Sequence, residues 1–267
     1  MDQPTDTPDT NDESVVIYNR FVRSRNVLLS ELDYAPLFRV MEEHRQQHSI
    51  EIPEQLDPLF KDLLAAFTLH CASRPRNELM AWTIRYSDPV VSFFFGGDTQ
   101  LGTVTGRYFD QFVKEAAQGE MHQELHRPNK PPHMSVVEFS GNDAQSAVHE
   151  FYEQSEQRPG KFFPLGDTRY ALVSAHPDYD EGWFTHVTAD VVRNLPDTET
   201  LSLIETRSYA WHCGCSYEKI LEILVPIMKE NPSAIFGDDD SANVNCPRCG
   251  ANYRILREDL TKKADSA

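Results

Sequence analysis

The chain is predicted to be an α+β protein: a mixed strand-and-helix N-terminal domain, a short linker, and a small zinc-binding C-terminal module. Three observations lead there. Four of the five cysteines fall in two tight pairs near the C-terminal end, Cys213-Gly214-Cys215 and Cys246-Pro247-Arg248-Cys249. Before them, runs with strand and helix periodicity are interleaved without a regular βαβ alternation. The 267 residues suffice for one good-sized core and a small appended module.

The elements follow in order. Residues 1–13 are rich in Asp, Thr and Pro without apolar periodicity and read as a disordered acidic leader. Val15-Val16-Ile17-Tyr18 and Val27-Leu28-Leu29 are strand-like, and Pro36 to Met41 has helical spacing. Leu56, Leu59, Phe60, Leu63, Leu64 and Phe67 recur at three and four residues, which predicts an amphipathic helix with Cys71 buried at its end. Met80–Tyr86 and Val90–Phe95 are strands about a turn at Ser87-Asp88-Pro89, and Gly96-Gly97 reads as a hairpin turn. A strand at Thr103–Tyr108, a helix at Phe109–Gln118 and a Pro-rich loop through Pro132 come next. His122, His126 and His133 are placed in that polar loop region. Met134–Phe139, Ala144–Gln154 and Tyr170–Ser174 read as strand, helix and strand. The domain boundaries predicted are 14–193 for the α+β domain, 194–210 for the linker, 211–260 for the module and 261–267 for a tail.

Cysteine chemistry dominates the functional reading. A Cys-x-Cys and a Cys-x-x-Cys followed by Gly250 are turns that present two sulfurs each, and four thiolates complete a tetrahedron. Thiolates select zinc or iron over magnesium or calcium, and zinc is the commonest occupant of an all-cysteine site. Cys213, Cys215, Cys246 and Cys249 are therefore the candidate ligands and zinc the expected cofactor; His212 is left out because four sulfurs satisfy the ion. Structural disulfides compete, but an apolar signal segment is not evident, so a cytoplasmic, reducing location is expected. A module this small can bury little apolar area and must lean on the metal. Its remaining signals are an apolar face from Ile220 to Met228, with a kink at Pro226, and a short strand at Tyr253–Leu256.

Several function classes recede. A net charge of -17 opposes nucleic-acid binding, and the local cluster Arg248, Arg254 and Arg257 reads as a solvated surface. No run is long enough to span a membrane. No nucleophile-and-base arrangement or nucleotide fingerprint has diagnostic spacing, so an enzyme is not expected and no catalytic residue is assigned.

Trp211-His212-Cys213-Gly214-Cys215-Ser216, a helix, an acidic loop, Val244 to Tyr253 with its Cys-Pro-Arg-Cys-Gly core, and a final Glu258-Asp259-Leu260 resemble the zinc domain of the heat-shock protein 33 family. Ala144 to Leu165, with Ser155-Glu156-Gln157 and Pro159, resembles a helix and turn of the same family. The resemblance implies a redox-regulated, ATP-independent holdase chaperone of the cytosol. It implies that the four cysteines hold zinc, that oxidation joins Cys213 to Cys215 and Cys246 to Cys249 as disulfides, and that the released module exposes apolar surface to unfolded or aggregation-prone client proteins. A homodimer is an open expectation; nucleic-acid and membrane partners are not expected. The family's long charged linker is shortened here to about Asn194–Tyr209, which implies a weaker gate. The alternative is a protein-binding module without redox control, stapled by a purely structural zinc.

Overall fold

The computed structural model describes residues 13–266 apart from 112, 114, 115 and 232. All of the leader but Glu13 lies outside the described residues. The α+β class holds: a ten-stranded sheet and its helices form the large domain, and a two-stranded hairpin with helices forms the small one.

Strands β1 (Ser14–Val22) and β2 (Val27–Asp33) form the first antiparallel pair. Helices α1 (Ala35–His48) and α2 (Asp57–Ser73) follow. Leu63 through Ala72 of α2 are all buried, as in a helix surrounded by protein. Strands β3 (Leu79–Ser87), β4 (Val90–Asp98), β5 (Thr103–Phe109), β6 (Gly119–His126) and β7 (His133–Phe139) make an antiparallel set. Then come α3 (Ala144–Gln154), β8 (Gly160–Pro164) and β9 (Arg169–Ala175). Three short helices, α4 (Glu181–His186), α5 (Ala189–Arg193) and α6 (Leu195–Thr198), lead into β10 (Leu201–Trp211). The C-terminal part holds α7 (Tyr217–Glu230), α8 (Ser233–Phe236), the hairpin β11 (Ser241–Asn245) and β12 (Asn252–Leu256), and α9 (Arg257–Ser266).

The sheet order is β7-β6-β3-β4-β5-β10-β1-β2-β9-β8. Helix α2 packs against β1, β2, β4, β5 and β9, while α3 packs on both edge strands, β7 and β8. The sheet thus curls round α2, and α3 fills the seam between its edges. The core between them is aromatic: Phe67 lies 5.2 Å from Trp82 and 6.0 Å from Phe95 between ring centres. Close approach sets the sequence of β4. A Cβ on Gly97 would come within 2.9 Å of Cys71 Sγ on α2, so the Gly96-Gly97 pair, expected as a turn, lies inside a strand because the helix needs that space.

Four other expectations are corrected. Phe109, expected to start a helix, instead ends β5 in pairing with Ser92 of β4, and none of the described residues of 110–118 is helical. His122 and His126 lie on β6, where their side chains pair with Glu120 and Glu124. The segment 194–210, expected as the linker, carries α6 and most of β10, which pairs with β1 from Leu201 to Ala210. Beyond residue 260, α9 continues to Ser266, anchored by fully buried Leu260.

One irregularity positions the functional site. β10 pairs with β1 from Leu201 to Ala210 but meets β5 only at Ala210 and Trp211, in parallel. The two halves of the sheet are therefore staggered. The far end of β5 is left for the C-terminal module, and the lower edge of β10 is left open.

Candidate metal centre

Each cysteine pair sits on a turn that its local sequence builds. The first follows β10 directly, and Ser216 closes it by accepting from the Lys219 amide at the start of α7. Lys219 Nζ also donates to Gly214 O, 2.5 Å away. The second pair is the tip of the β11–β12 hairpin. Gly250 N donates to Cys246 O at 2.9 Å and Cys246 N to Ala251 O at 2.8 Å, and Gly250 has φ +80°, which a side chain rarely tolerates. The turns are tied together by Arg248, which donates to Cys213 O at 3.3 Å, and by the Tyr253 hydroxyl, 3.2 Å from Cys215 Sγ.

All four sulfurs lie within 4.8 Å of one another. Cys213 Sγ is 3.6 Å from Cys246 Sγ, and Cys215 Sγ is 3.5 Å from Cys249 Sγ. A tetrahedral ion with metal–sulfur bonds of about 2.3 Å needs sulfur–sulfur edges of about 3.8 Å, so the donor set fits one metal ion. All five cysteines are unbridged. Crowded thiols cannot ionise together without a cation. The Cys213 thiol is pushed up to about 12, chiefly through its hydrogen bond with Cys246, and Cys246 is held low by bonds from Cys213 and then Cys249. Cys249 is raised by the same contacts. A divalent ion would replace these shared protons.

The burial of the pairs differs. Cys246 and Cys249 are 3% and 2% exposed, whereas Cys213 and Cys215 are half-buried. The reason is the docking of the hairpin tip on the large domain. Arg107 of β5 donates to Cys246 O at 2.9 Å, and His44 Nε2 of α1 lies 3.4 Å from Cys249 O. Ile50 would touch a Cβ on Gly250, and His48 stands 6.0 Å from the Tyr253 ring. Trp211 ends β10 beside His44, 5.8 Å between rings. No sequence signal marked His44 or Arg107, because their role is to grip backbone oxygens 205 and 139 positions away. His212 is exposed and outside the sulfur cluster. Arg254 and Arg257 bond to the Ser241 side chain and to the Gly237 and Asp239 carbonyls, bracing the hairpin.

Below the cluster, Ile220, Leu221, Leu224, Val225, Phe236, Ile255 and Leu260 form the module's apolar core. Pro226 lies inside α7, which continues through it to Glu230.

Fold and site define the class: an α+β domain carrying a hairpin module closed by four cysteines. The family model described as "Hsp33 protein" matches residues 172–256. The 33 kDa chaperonin of Proteus mirabilis is 22% identical over 245 residues, covering 78% of this chain and 83% of that protein. That of Geobacter sulfurreducens is 34% identical over 72 residues, 27% of this chain and 24% of that one. The crystal structure of the 33 kDa chaperonin from Thermotoga maritima, a heat shock protein 33 homolog, shares the fold at a TM-score of 0.69. It has 17% identity and covers 96% of this chain and 99% of that one. The chain is thus similar to Hsp33 proteins over residues 172–256 by family model and over most of its length by fold. Among the described residues, no helix is long and apolar enough to cross a membrane.

Proposed function

We propose that the protein is an ATP-independent holdase chaperone of the cytoplasm, switched on by oxidation of a zinc centre at Cys213, Cys215, Cys246 and Cys249. The observation that carries this reading is the sulfur cluster at the joint between the two domains, with one pair half-exposed and the other buried under α1 and β5. Bound zinc supplies the positive charge that keeps four adjoining sulfurs as thiolates. The half-exposed pair, Cys213 and Cys215, is the one an oxidant reaches first. A thiolate attacks the O–O bond of hydrogen peroxide, forming a sulfenic acid and releasing hydroxide. The partner sulfur then displaces the sulfenic oxygen as water and closes the disulfide, with one peroxide taking up two electrons. A second peroxide oxidises Cys246 and Cys249 in the same way once the hairpin loosens.

Disulfides within each pair leave no thiolate to ligate, so the module loses its main stabilisation. Its apolar core residues from α7, α8 and β12 then become available to unfolding clients, beside the already exposed Ile223 and Ile227. Because β10 is held in the sheet along β1, unfolding is expected to stop at about Trp211, and the gate is the module itself with no long linker. A second reading has its own support: the near-complete burial of Cys246 and Cys249 suits a static, structural zinc in a non-redox binding protein.

Light scattering from an unfolding client separates the two. The reduced, metal-loaded protein is compared with the same protein after peroxide, while a chromogenic chelator reports released zinc. Suppression that appears together with zinc release is the expected result. Zinc retained under peroxide with no suppression in either state would leave the structural-zinc reading.

A further inference from the structure

The sheet ends on β7, whose outward edge has chemistry that the metal centre does not use. The Ala210 amide donates to Gly102 O and the His212 amide to Val104 O, so the even residues of β5 turn their backbone groups towards β10. Bonding direction alternates along a strand, and the registers through β4, β3 and β6 carry that alternation across without a shift. In β7 the odd residues therefore bond to β6 and the even ones face away from the sheet. The Gln154 side chain of α3 agrees, reaching Glu138 O from outside the sheet at 3.4 Å. The amides and carbonyls of Met134 and Val136 are left on the free edge, where no backbone group of the described residues takes them.

The side chains of the same residues leave the strand on its solvent face. Val137 and Phe139 point inwards to the core that α3 shares, whereas Met134 is 65% and Val136 56% exposed. Natural edge strands are blunted by charge or proline. Here Pro131 and Pro132 stop just short of the strand and Glu138 stands near its far end, so two apolar residues with unpaired backbone lie between them. Glu138 is directly opposite Glu120, whose cation is Arg85. No Lys, Arg or His among the described residues pairs with Glu138 itself; its carboxylate accepts from Gln118 Nε2. The edge is thus complementary to an extended segment with apolar side chains at two alternate positions and a basic one at the next.

We propose that β7 binds such a segment by antiparallel strand addition, with the apolar residues opposite Met134 and Val136 and the Lys or Arg opposite Glu138. The proposal rests on the chaperone reading for its partner, an extended stretch of an unfolding client. The edge belongs to the large domain, so the reduced, metal-loaded full chain binds without peroxide. The probe is a fluorescent peptide in which two valines and a lysine alternate with threonines, followed by anisotropy. Saturation is expected, half complete below about 1 mM. N-methylation of the two valines, whose amides face β7, should abolish binding, whereas N-methylation of the threonines between them should not. Val136→Pro should abolish it too, since it removes an edge amide and no ladder bond. Glu138→Lys should turn a several-fold preference for the lysine peptide into one for its glutamate counterpart. If Val136→Pro fails to fold, the two methylated peptides still decide. No approach to saturation by about 1 mM, or equal binding of the two methylated peptides, would overturn the proposal. So would a dimer in sedimentation that Val136→Pro dissolves, because the edge would then belong to a second copy of the chain. Suppression of client scattering without peptide binding would overturn the edge and leave the chaperone reading; peptide binding with no suppression in either redox state would do the reverse.

Discussion

The large domain and the C-terminal module bury apolar surface on different scales, and the difference explains which of them can serve as a switch. In the large domain, Phe60, Phe67, Trp82, Phe93, Phe95, Phe151 and Tyr152 interlock around α2 and make one continuous core with the sheet. The module has only the small cluster between α7, α8, β12 and α9, and its hairpin tip is organised around sulfur instead of hydrocarbon. A domain with its own core keeps its fold when a ligand leaves. A segment of the module's size whose tip is closed by thiols depends on what holds the thiols together. The largest expected effect breaks the comparison at that point. Stripping the metal with a chelator, or replacing Cys246 by Ser, removes on the order of 10 kcal/mol of apparent stabilisation from the module. Hydrogen exchange should then show the amides of 212–266 losing protection while those of α2 and β1 to β9 keep theirs. Cooperative loss of protection across the whole chain would show that the two regions fold as one unit.

The converse experiment attacks the core that needs no metal. Phe67 is fully buried against Trp82, Phe95 and Gly97, and Phe67→Ala should cost about 3–5 kcal/mol in denaturant unfolding of the large domain. Metal content measured in the native protein should be unchanged. A fall in metal content at native conditions would mean that the sulfur cluster borrows its stability from the sheet.

A third test uses pH and is read on a buried histidine of the large domain. His70 of α2 is fully buried between the Tyr152 hydroxyl at 3.0 Å and Gln123 Oε1 at 3.2 Å, and the same amide oxygen accepts from Trp82. Burial pulls its pKa from 6.5 down to about 4; Glu156 opposes this, and Arg74 and Arg158 add to it. An unfolded histidine takes its proton near 6.5, so between pH 6.5 and 4 the unfolded chain binds more protons. Stability is complete above that window and falls as pH drops through it, by on the order of 3 kcal/mol at its lower end. Asp62, raised to about 6 by burial, works in the opposite direction over part of the same range, so its contribution must be subtracted. The comparison of wild type with His70→Gln does this: the difference in their unfolding free energies should shrink as pH falls from 7 to 4. A pH-independent difference would show that the histidine is not neutral and buried in solution.

Much of this contrast was legible in the chain. The paired cysteines, the apolar face of α7 and the strand at Tyr253 carry local signals, because a metal knuckle is specified by residues a few positions apart. Helix α3 was readable to its ends since Asp143 caps it and its apolar spacing is regular. What could not be read was long-range. β10 alternates poorly, with Leu203 and Ile204 both exposed, so its strand character comes from pairing with β1, far away in sequence. The Gly96-Gly97 pair looked like a turn until α2 was laid against it. Arg107 and His44 are common surface residue types, and only docking gives them carbonyls to hold.

That docking is the smallest and sharpest place to test how the two regions communicate. Arg107 Nη1 reaches Cys246 O from β5, while its guanidinium also lies over the Phe109 ring at 4.6 Å. Replacing it with Lys keeps a positive charge but loses the planar fork; Arg107→Ala loses both. Either change leaves the four sulfurs intact and deprives one buried ligand turn of a single hydrogen bond, which in this setting is worth about 1 kcal/mol. Equilibrium stability of the large domain should not move, since its core lies on the other side of the sheet. Peroxide-driven metal release should quicken by roughly fivefold for Arg107→Ala, the factor that 1 kcal/mol represents, with Arg107→Lys between it and wild type. The readout is the rate of colour development with the chromogenic chelator. If the rate is unchanged, oxidation does not wait for the hairpin tip to lift from β5, and the shielding of Cys246 and Cys249 would play no part in setting how fast the centre responds.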